Sequence, residues 1–261
     1  MTAAGRGTDA AWFRELSAGG AAGLRLYCFP HAGGSAGAYG GLSRALAGRR
    51  GSGGRRISVA AAQYPGRQDR YREAPLEDLG RIADVLAAEI EERGEQPYAL
   101  FGHSMGAVIA YETARRLQRS DAGPERLFVS GRGAPSKGAA PGDQPAGDQA
   151  LLTQVRRLGG TGGRALADPE LMRMALPALR ADYRALRSYA WVPGEALRCP
   201  LTVLIGDTDP TVTTEAVAAW RELATGAVSM RMFPGGHFYL DAFTEELAEL
   251  VSDALPEAAW T

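Results

Sequence analysis

One serine in this sequence lies between two glycines in the stretch Gly-His-Ser-Met-Gly, with Ser104 at its centre. A serine hydroxyl becomes a nucleophile when a neighbouring base removes its proton. In the G-x-S-x-G pattern a strand turns sharply into a helix and exposes the serine, and the sharp turn requires small residues on either side. Such a match can arise by chance in a chain with 34 glycines. The apolar run before Gly102 and the helical pattern after Gly106 favour Ser104 as a nucleophile.

The chain contains three histidines that could serve as the base. His103 directly precedes the serine within the turn, so we expect its side chain to point away from the hydroxyl. His31 belongs to an early glycine-rich loop. His237 follows the last predicted strand and precedes the last predicted helix, which makes it the candidate general base.

The acid that orients this histidine should follow a strand between the nucleophile and the base. Asp207 and Asp209 both follow an apolar run that ends at Ile205. We favour Asp209, which lies farther along the loop and precedes Pro210, and we expect Asp207 to hydrogen-bond within the turn. A buried carboxylate would hold the imidazole in one tautomer and stabilise its charged form. The order Ser, Asp, His is that of the α/β-hydrolases.

Two backbone N–H groups are candidates for an oxyanion hole. One belongs to Met105, the residue after the nucleophile. The other belongs to Ala32, in a loop that follows the strand-like run ending at Phe29. The Gly33–Gly34 pair lets this loop turn its amides inward. Donors placed in this way stabilise the negative charge that develops on a carbonyl oxygen during attack.

Short β-like runs alternate with helical patterns along the chain, which is typical of βαβ units and a mostly parallel sheet. The predicted strands are Gly23–Phe29, Arg56–Tyr64, Pro97–Gly102, Arg126–Gly131, Pro200–Gly206 and Val228–Phe233. The predicted helices are Leu76–Gly94, Met105–Gln118, Thr214–Ala224 and Asp241–Leu255. The sequence therefore predicts an α/β-hydrolase fold, with a mostly parallel central sheet flanked by helices.

One connection is far longer than the roughly 10–12 residues that a crossover needs. It runs from Gly131 to Pro200, opens with a stretch rich in glycine and proline, and then becomes helical. Asp168 is a predicted N-cap, with Pro169 at the first helical position. We favour a single domain of residues 1–261 in which residues 137–195 form an inserted helical lid. The alternative is that this inserted segment is an additional part of the hydrophobic core.

Length and composition argue against several other classes of protein. A chain of 261 residues with a formal net charge of −1 suits one large domain and shows no bias toward nucleic acid or anionic membranes. Cys28 and Cys199 form no CxxC pair, and no phosphate-binding glycine loop is present. The amino terminus lacks an apolar export signal, and no apolar run approaches the ~20 residues of a membrane helix, so we expect a cytoplasmic protein.

Six short motifs extend over nearly the whole chain, from about Leu24 to about Leu255. They are FPHAGGSA near the start, QYPGR at Gln63–Arg67, GHSMGA at Gly102–Ala107, LRADYRALRSY at Leu179–Tyr189, GDTDP at Gly206–Pro210 and GGHFYL at Gly235–Leu240. Together they resemble the stand-alone type II thioesterases of polyketide and nonribosomal peptide biosynthesis. GHSMG alone is widespread among hydrolases, whereas the early FPHAGG loop combined with YPGR is more specific to this family.

This resemblance implies a serine hydrolase that cleaves acyl thioesters from the phosphopantetheine arm of acyl or peptidyl carrier proteins and so clears misprimed or stalled chains from a synthase. By the same resemblance, Ser104, Asp209 and His237 form the triad, and Ala32 and Met105 supply the oxyanion donors. No metal or cofactor is implied, because the arm belongs to the substrate. The alternatives are a general carboxylesterase, an acyltransferase with the same triad, and a catalytically inactive fold that serves as a binding module.

Overall fold

A seven-stranded sheet lies at the centre of the chain. The computed structural model describes residues 12–17, 23–51, 54–94, 97–145, 147–159 and 168–255. Within these ranges the strands are β1 (Phe13–Glu15), β2 (Leu24–Phe29), β3 (Ile57–Ala62), β4 (Tyr98–His103), β5 (Leu127–Ser130), β6 (Leu201–Gly206) and β7 (Val228–Phe233). Their order across the sheet is β1-β3-β2-β4-β5-β6-β7. All neighbouring pairs are parallel except β1 with β3, which confirms the predicted mostly parallel sheet.

Two elements of the fold carry no sequence signal of their own. Strand β1 is only three residues long, too short for an alternating pattern, and it pairs antiparallel with β3 at the edge of the sheet. Its Phe13 ring packs against Tyr27, with 4.7 Å between ring centroids. The helix Gly40–Leu46 begins with two glycines, which are poor helix formers. Both elements are stabilised by tertiary packing, which local propensity does not register.

Helices cover both faces of the sheet. In the described ranges they are α1 (Gly40–Leu46), α2 (Leu79–Arg93), α3 (Met105–Leu117), α4 (Asp148–Leu158), α5 (Pro169–Ser188), α6 (Thr214–Ala218) and α7 (Thr244–Ala254). Helices α2 and α3 pack together on one face, and α1 and α7 pack together on the other. Gly94 ends α2 with a φ of 60°, as the sequence predicts, and Asp78 caps its amino end. None of the helices in the described ranges has the length and apolarity that a membrane span requires.

The long connection between β5 and β6 carries α4 and α5. Asp168 caps the amino end of α5 with its side chain, as the sequence predicts. Near the other end of α5, Ala185 and Leu186 belong to the main apolar core. A separate small apolar cluster lies against the loop after β2 and consists of Leu151, Leu179 and Tyr183. The carboxyl-terminal part of α5 is therefore core, whereas its middle covers the end of β2, and the boundaries of the lid remain a prediction.

Neither cysteine is placed for thiolate chemistry. Cys28 is buried in β2, Cys199 is half-buried just before β6, and both are free thiols. Burial raises the pKa of the Cys28 thiol well above its ordinary value, and burial raises the pKa of Cys199 to about 11. Both thiols are therefore protonated at neutral pH and act as small apolar side chains.

Candidate active site

Ser104 lies at the sharp turn between β4 and α3. Its backbone has φ 56° and ψ −119°, a strained conformation for a residue with a side chain. A Cβ on Gly102 would come within 2.1 Å of the Gly106 carbonyl oxygen, and a Cβ on Gly106 would come within 1.9 Å of the Phe29 carbonyl oxygen. Neither position can therefore hold a side chain. The Ser104 N–H donates to the Ser130 carbonyl oxygen at 2.8 Å, which ties the turn to the end of β5.

Asp209 and His237 meet because they follow neighbouring parallel strands, β6 and β7. The His237 Nδ1 lies 2.7 Å from the Asp209 Oδ2, and the imidazole is only 2% exposed. Burial acts to raise the pKa of Asp209, but hydrogen bonds from His237 and Thr211 outweigh it, and the net pKa lies below the ordinary value. The carboxylate is therefore ionised at neutral pH and can orient and charge-stabilise the imidazole.

The two aspartates in the loop after β6 make different hydrogen bonds. Asp207 accepts the Gly235 N–H at 2.8 Å and so joins its loop to the one that carries His237. Asp209 instead accepts the Thr211 N–H at 2.9 Å and the Thr211 hydroxyl at 2.7 Å. The Thr211 Oγ also lies 3.2 Å from the His237 Nδ1. Thr211 is not among the residues that the sequence motifs single out, although a threonine two residues after an aspartate is a recognisable turn signal.

Ser104 and His237 line one cavity. His31, Ala32 and Gly33 line the same space from the loop after β2. Its remaining walls are mostly apolar and include Val155, Leu158, Leu171, Ala175, Leu179 and Phe238. In the described chain no hydrogen bond joins the Ser104 hydroxyl to His237, a bond that in many hydrolases tightens only when substrate binds. No group of three or more His, Cys, Asp or Glu side chains in that part of the chain is arranged to hold a metal ion.

The backbone N–H groups of Ala32, which lines this cavity, and of Met105, which follows Ser104, have no acceptor among the described residues. Met105 is the first residue of α3, where N–H groups have no partner within the helix and the helix dipole favours negative charge. Ala32 lies in the loop between Gly34, whose N–H donates to the His31 carbonyl oxygen at 2.9 Å, and the end of β2. Neither group is therefore used by a hydrogen bond within the described chain, as an oxyanion donor requires.

The other two histidines are held in their neutral forms. Burial first, and then the nearby His237 and Arg67, lower the pKa of His31 to about 3. Burial also lowers the pKa of His103 well below its ordinary value, with a further effect of His237 and His31. The His103 Nδ1 lies 2.9 Å from the Ser130 Oγ, and its ring lies 4.9 Å from that of His237 between centroids. His103 does not line the cavity.

The neutral, buried state of His103 predicts a loss of stability in acid. An unfolded histidine takes up a proton below about pH 6.5, whereas folded His103 does not, so the unfolded state gains protons and stability falls as pH falls. In His103→Asn, the free energy of unfolding should therefore depend less steeply on pH between pH 6 and 5, by up to ~1.4 kcal/mol per pH unit. Urea unfolding at several pH values in this range gives the slope of the free energy of unfolding against pH for the wild type and for His103→Asn. Equal slopes in the two proteins would exclude a neutral His103.

The arginine-rich stretch Arg49–Arg56 lies away from this cavity. It leads into the amino end of β3, at the opposite edge of the parallel sheet from Ser104. Arg49 pairs with Glu245 at 3.2 Å and Arg55 pairs with Glu125 at 3.1 Å. The described part of this stretch is a surface loop with local ion pairs, as its composition suggests, and it contributes nothing to the cavity.

Comparison with known proteins identifies the family. The thioesterase domain family matches residues 24–255. A probable cadicidin biosynthesis thioesterase from Streptomyces griseus is 44% identical over 246 residues, which cover 93% of this chain and 66% of that protein. The thioesterase PikA5 from Streptomyces venezuelae is 41% identical over 246 residues, which cover 94% of this chain and 85% of that protein.

Comparison with solved structures leads to the same family. The structure of the type II thioesterase BorB from the borrelidin biosynthetic cluster superposes with a TM-score of 0.85. It is 41% identical, and the superposition covers 96% of this chain and all of BorB. The sheet order, the strained serine turn and the paired aspartate and histidine are thus found on an α/β-hydrolase framework. This chain belongs to the thioesterase family and groups with its type II members.

Proposed function

We propose that this thioesterase hydrolyses acyl thioesters carried on the phosphopantetheine arm of acyl or peptidyl carrier proteins. Ser104 is the nucleophile, His237 the general base and Asp209 the acid that orients it. Ala32 and Met105 supply the oxyanion donors. The observation that carries the proposal is the buried 2.7 Å contact between Asp209 and His237 at the cavity that the Ser104 turn also lines.

Acyl transfer to the enzyme follows from these positions. His237 takes the Ser104 proton as Oγ bonds to the thioester carbonyl carbon, and the carbonyl electron pair moves onto oxygen. The N–H groups of Ala32 and Met105 stabilise this oxyanion, while Asp209 stabilises the imidazolium. When the carbonyl reforms, the carbon–sulfur bond breaks, and His237 returns its proton to the departing thiol.

Water completes the reaction at the same site. His237 takes a proton from water as the water oxygen bonds to the acyl carbon, and the oxyanion again lies on Ala32 and Met105. Collapse breaks the bond between the acyl carbon and Ser104 Oγ, and His237 protonates that oxygen. The free acid leaves, and no step in this sequence requires a metal or a cofactor other than the pantetheine arm of the substrate itself.

Two observations support a carrier-bound substrate and an editing role in a biosynthetic pathway. The cavity is walled mainly by apolar side chains, among them Leu179 and Phe238, which suit an acyl chain. Two of the relatives named above are thioesterases of biosynthetic systems, those of cadicidin and borrelidin. The segment that carries Leu179 would act as a lid, closing over the acyl group once the arm has entered. A cytoplasmic location, where such synthases act, is part of the same proposal.

Comparison of four propionyl substrates tests this proposal. They are a propionyl-loaded carrier protein, propionyl-coenzyme A, propionyl-N-acetylcysteamine and p-nitrophenyl propionate. We expect kcat/KM to be highest for the carrier protein, by about tenfold or more over propionyl-coenzyme A, because carrier contacts worth ~1.4 kcal/mol suffice for that ratio. Coenzyme A supplies the same arm without the protein. The ratio of kcat/KM for the loaded carrier protein to kcat/KM for propionyl-coenzyme A therefore measures the contribution of the carrier protein's surface.

Other outcomes identify the alternatives. Cleavage of p-nitrophenyl propionate alone would replace the proposal with a general carboxylesterase. Transfer of the propionyl group to an added alcohol or amine, in place of water, would identify an acyltransferase with the same triad. If no substrate is turned over, the remaining alternative is an inactive fold that serves as a binding module.

A further inference from the structure

A carboxylate on the inserted helix α5 reaches the loop that carries Ala32. Asp182 is 0% exposed, and its Oδ2 accepts the Gly33 N–H at 2.7 Å. The same oxygen accepts Arg67 Nη1 at 2.9 Å, and Asp182 Oδ1 accepts Arg67 Nη2 at 2.8 Å. This is a buried, bidentate ion pair with one backbone N–H added to it. The sequence motifs QYPGR and LRADY thus meet at the loop that contains the FPHAGG motif.

The loop is held from several sides at this point. Arg67 Nη1 also donates to the Gly34 carbonyl oxygen at 3.2 Å. Gln63 accepts the Ala36 N–H at 2.9 Å and donates to the Arg67 carbonyl oxygen at 3.0 Å. Gly33 has a φ of 74°, and a Cβ there would come within 2.8 Å of the α5 side chain Leu179. The turn after β2 therefore has little freedom while α5 is in place.

These contacts determine where the Ala32 N–H points. The His31 carbonyl oxygen accepts the Gly34 N–H, so the peptide between His31 and Ala32 is fixed at its oxygen. In a trans peptide the N–H points in the opposite direction from the carbonyl, so the Ala32 N–H is directed away from this internal bond. Asp182 holds the next N–H, that of Gly33, and Arg67 holds the Gly34 carbonyl oxygen. Together they fix the peptides on the far side of Ala32.

We infer that Asp182 is a positioning residue for catalysis: by holding the Gly33 N–H, with Arg67 as its counter-ion, it aims the Ala32 N–H at the oxyanion. The inference rests on the proposed function, because it takes Ala32 as a donor. It also links the inserted segment to the chemistry, since α5 must be docked for the donor to be aligned. Asp182 does not line the cavity and acts only through the loop.

A second buried pair in the same chain offers a matched control. Arg132 and Asp143 form a bidentate pair with distances of 2.8 and 2.6 Å, and Asp143 also accepts the Ala140 N–H at 2.8 Å. Asp143 is 6% exposed, close to the burial of Asp182. The two carboxylates therefore have the same kinds of partner, but among the described residues Asp143 makes no hydrogen bond or ion pair with the loop after β2.

The test compares Asp182→Asn with Asp143→Asn. Each change leaves a buried arginine without its counter-ion, so the urea midpoint should fall in both variants. Only Asp182→Asn should lower kcat for propionyl-N-acetylcysteamine, by about 10- to 100-fold, with KM changed less than about threefold, because a misaligned donor affects the transition state more than the bound substrate. Asp143→Asn should retain kcat within about threefold of the wild type. If Asp182→Asn does not fold, Asp182→Glu and Asp143→Glu replace the asparagine variants. The longer glutamate side chain keeps the charge beside arginine but displaces the carboxylate that accepts the Gly33 N–H, so Asp182→Glu alone should still lower kcat.

The possible results separate the inference from the proposed function. Equal kcat losses in the Asp182 and Asp143 variants would mean that the pair is structural only, and the inference would fail. Unchanged kcat in a folded Asp182 variant would overturn it as well, while wild-type activity that depends on Ser104 would leave the proposed function intact. Absence of thioester hydrolysis by the wild type would overturn the proposed function, and the inference with it.

Discussion

Replacement of Ser104 with alanine is expected to slow thioester hydrolysis by about 10⁴- to 10⁶-fold. The change removes the only atom that forms the covalent bond with the acyl group, whereas the imidazole and the oxyanion donors remain. Residual hydrolysis would then require direct attack by water on the bound thioester. Release of propionate from propionyl-N-acetylcysteamine, followed by mass spectrometry, measures the effect for the wild type and the variant.

The fold of Ser104→Ala should be unchanged, because the hydroxyl takes part in no hydrogen bond within the described chain. Urea unfolding should therefore give the wild-type midpoint. Ser120→Ala is the matched control, since Ser120 is exposed and lies after α3, away from the cavity. Its activity should stay within about twofold of the wild type, as is usual for a surface substitution. Retention of a tenth or more of the activity in Ser104→Ala would exclude the assigned nucleophile.

Replacement of Asp209 with asparagine is expected to reduce kcat by about 10⁴-fold. The asparagine amide can donate to the His237 Nδ1, which leaves the proton on Nε2, where the imidazole cannot accept one from Ser104. The lowered pKa of Asp209 shows that the wild-type carboxylate is ionised at neutral pH, so the loss should be present throughout the neutral range. Steady-state rates between pH 6 and 9 measure this effect.

Asp207→Asn is the matched control for that change. Asp207 also follows β6, but its role is to accept the Gly235 N–H, and an asparagine oxygen can still accept it. We therefore expect kcat within about threefold of the wild type, as for an exposed position whose hydrogen bond is conserved. A larger loss in Asp207→Asn than in Asp209→Asn would identify Asp207 as the orienting acid and contradict the assignment.

Much of the candidate site can be predicted from sequence because each part has a distinctive residue type at a constrained position. Ser104 has glycines two residues away on either side, and the structure shows that neither has room for a Cβ. His237 is chosen among only three histidines. Strands β4 and β6, which precede Ser104 and Asp209, are buried along their whole length and read as mostly apolar runs, so their carboxyl ends can be located closely.

Other parts of the site cannot be predicted in this way, because they depend on long-range contacts. Asp182 and Arg67 are separated by 115 residues, and no periodicity connects them. Their motifs are visible in the sequence, but their meeting depends on how the inserted segment folds back over β2. The short strand β1 is likewise defined by its pairing with β3 and not by its own three residues.

The central claim is that Ser104 forms the acyl-enzyme, and covalent labelling tests it most directly. A fluorophosphonate reacts with an activated serine hydroxyl, so the intact wild-type protein should gain one label, located by peptide mass mapping to the peptide that contains Ser104. Asp209→Asn should be labelled much more slowly, because its imidazole no longer accepts the serine proton. A label on another residue, or no label on protein that hydrolyses thioesters, would contradict the account.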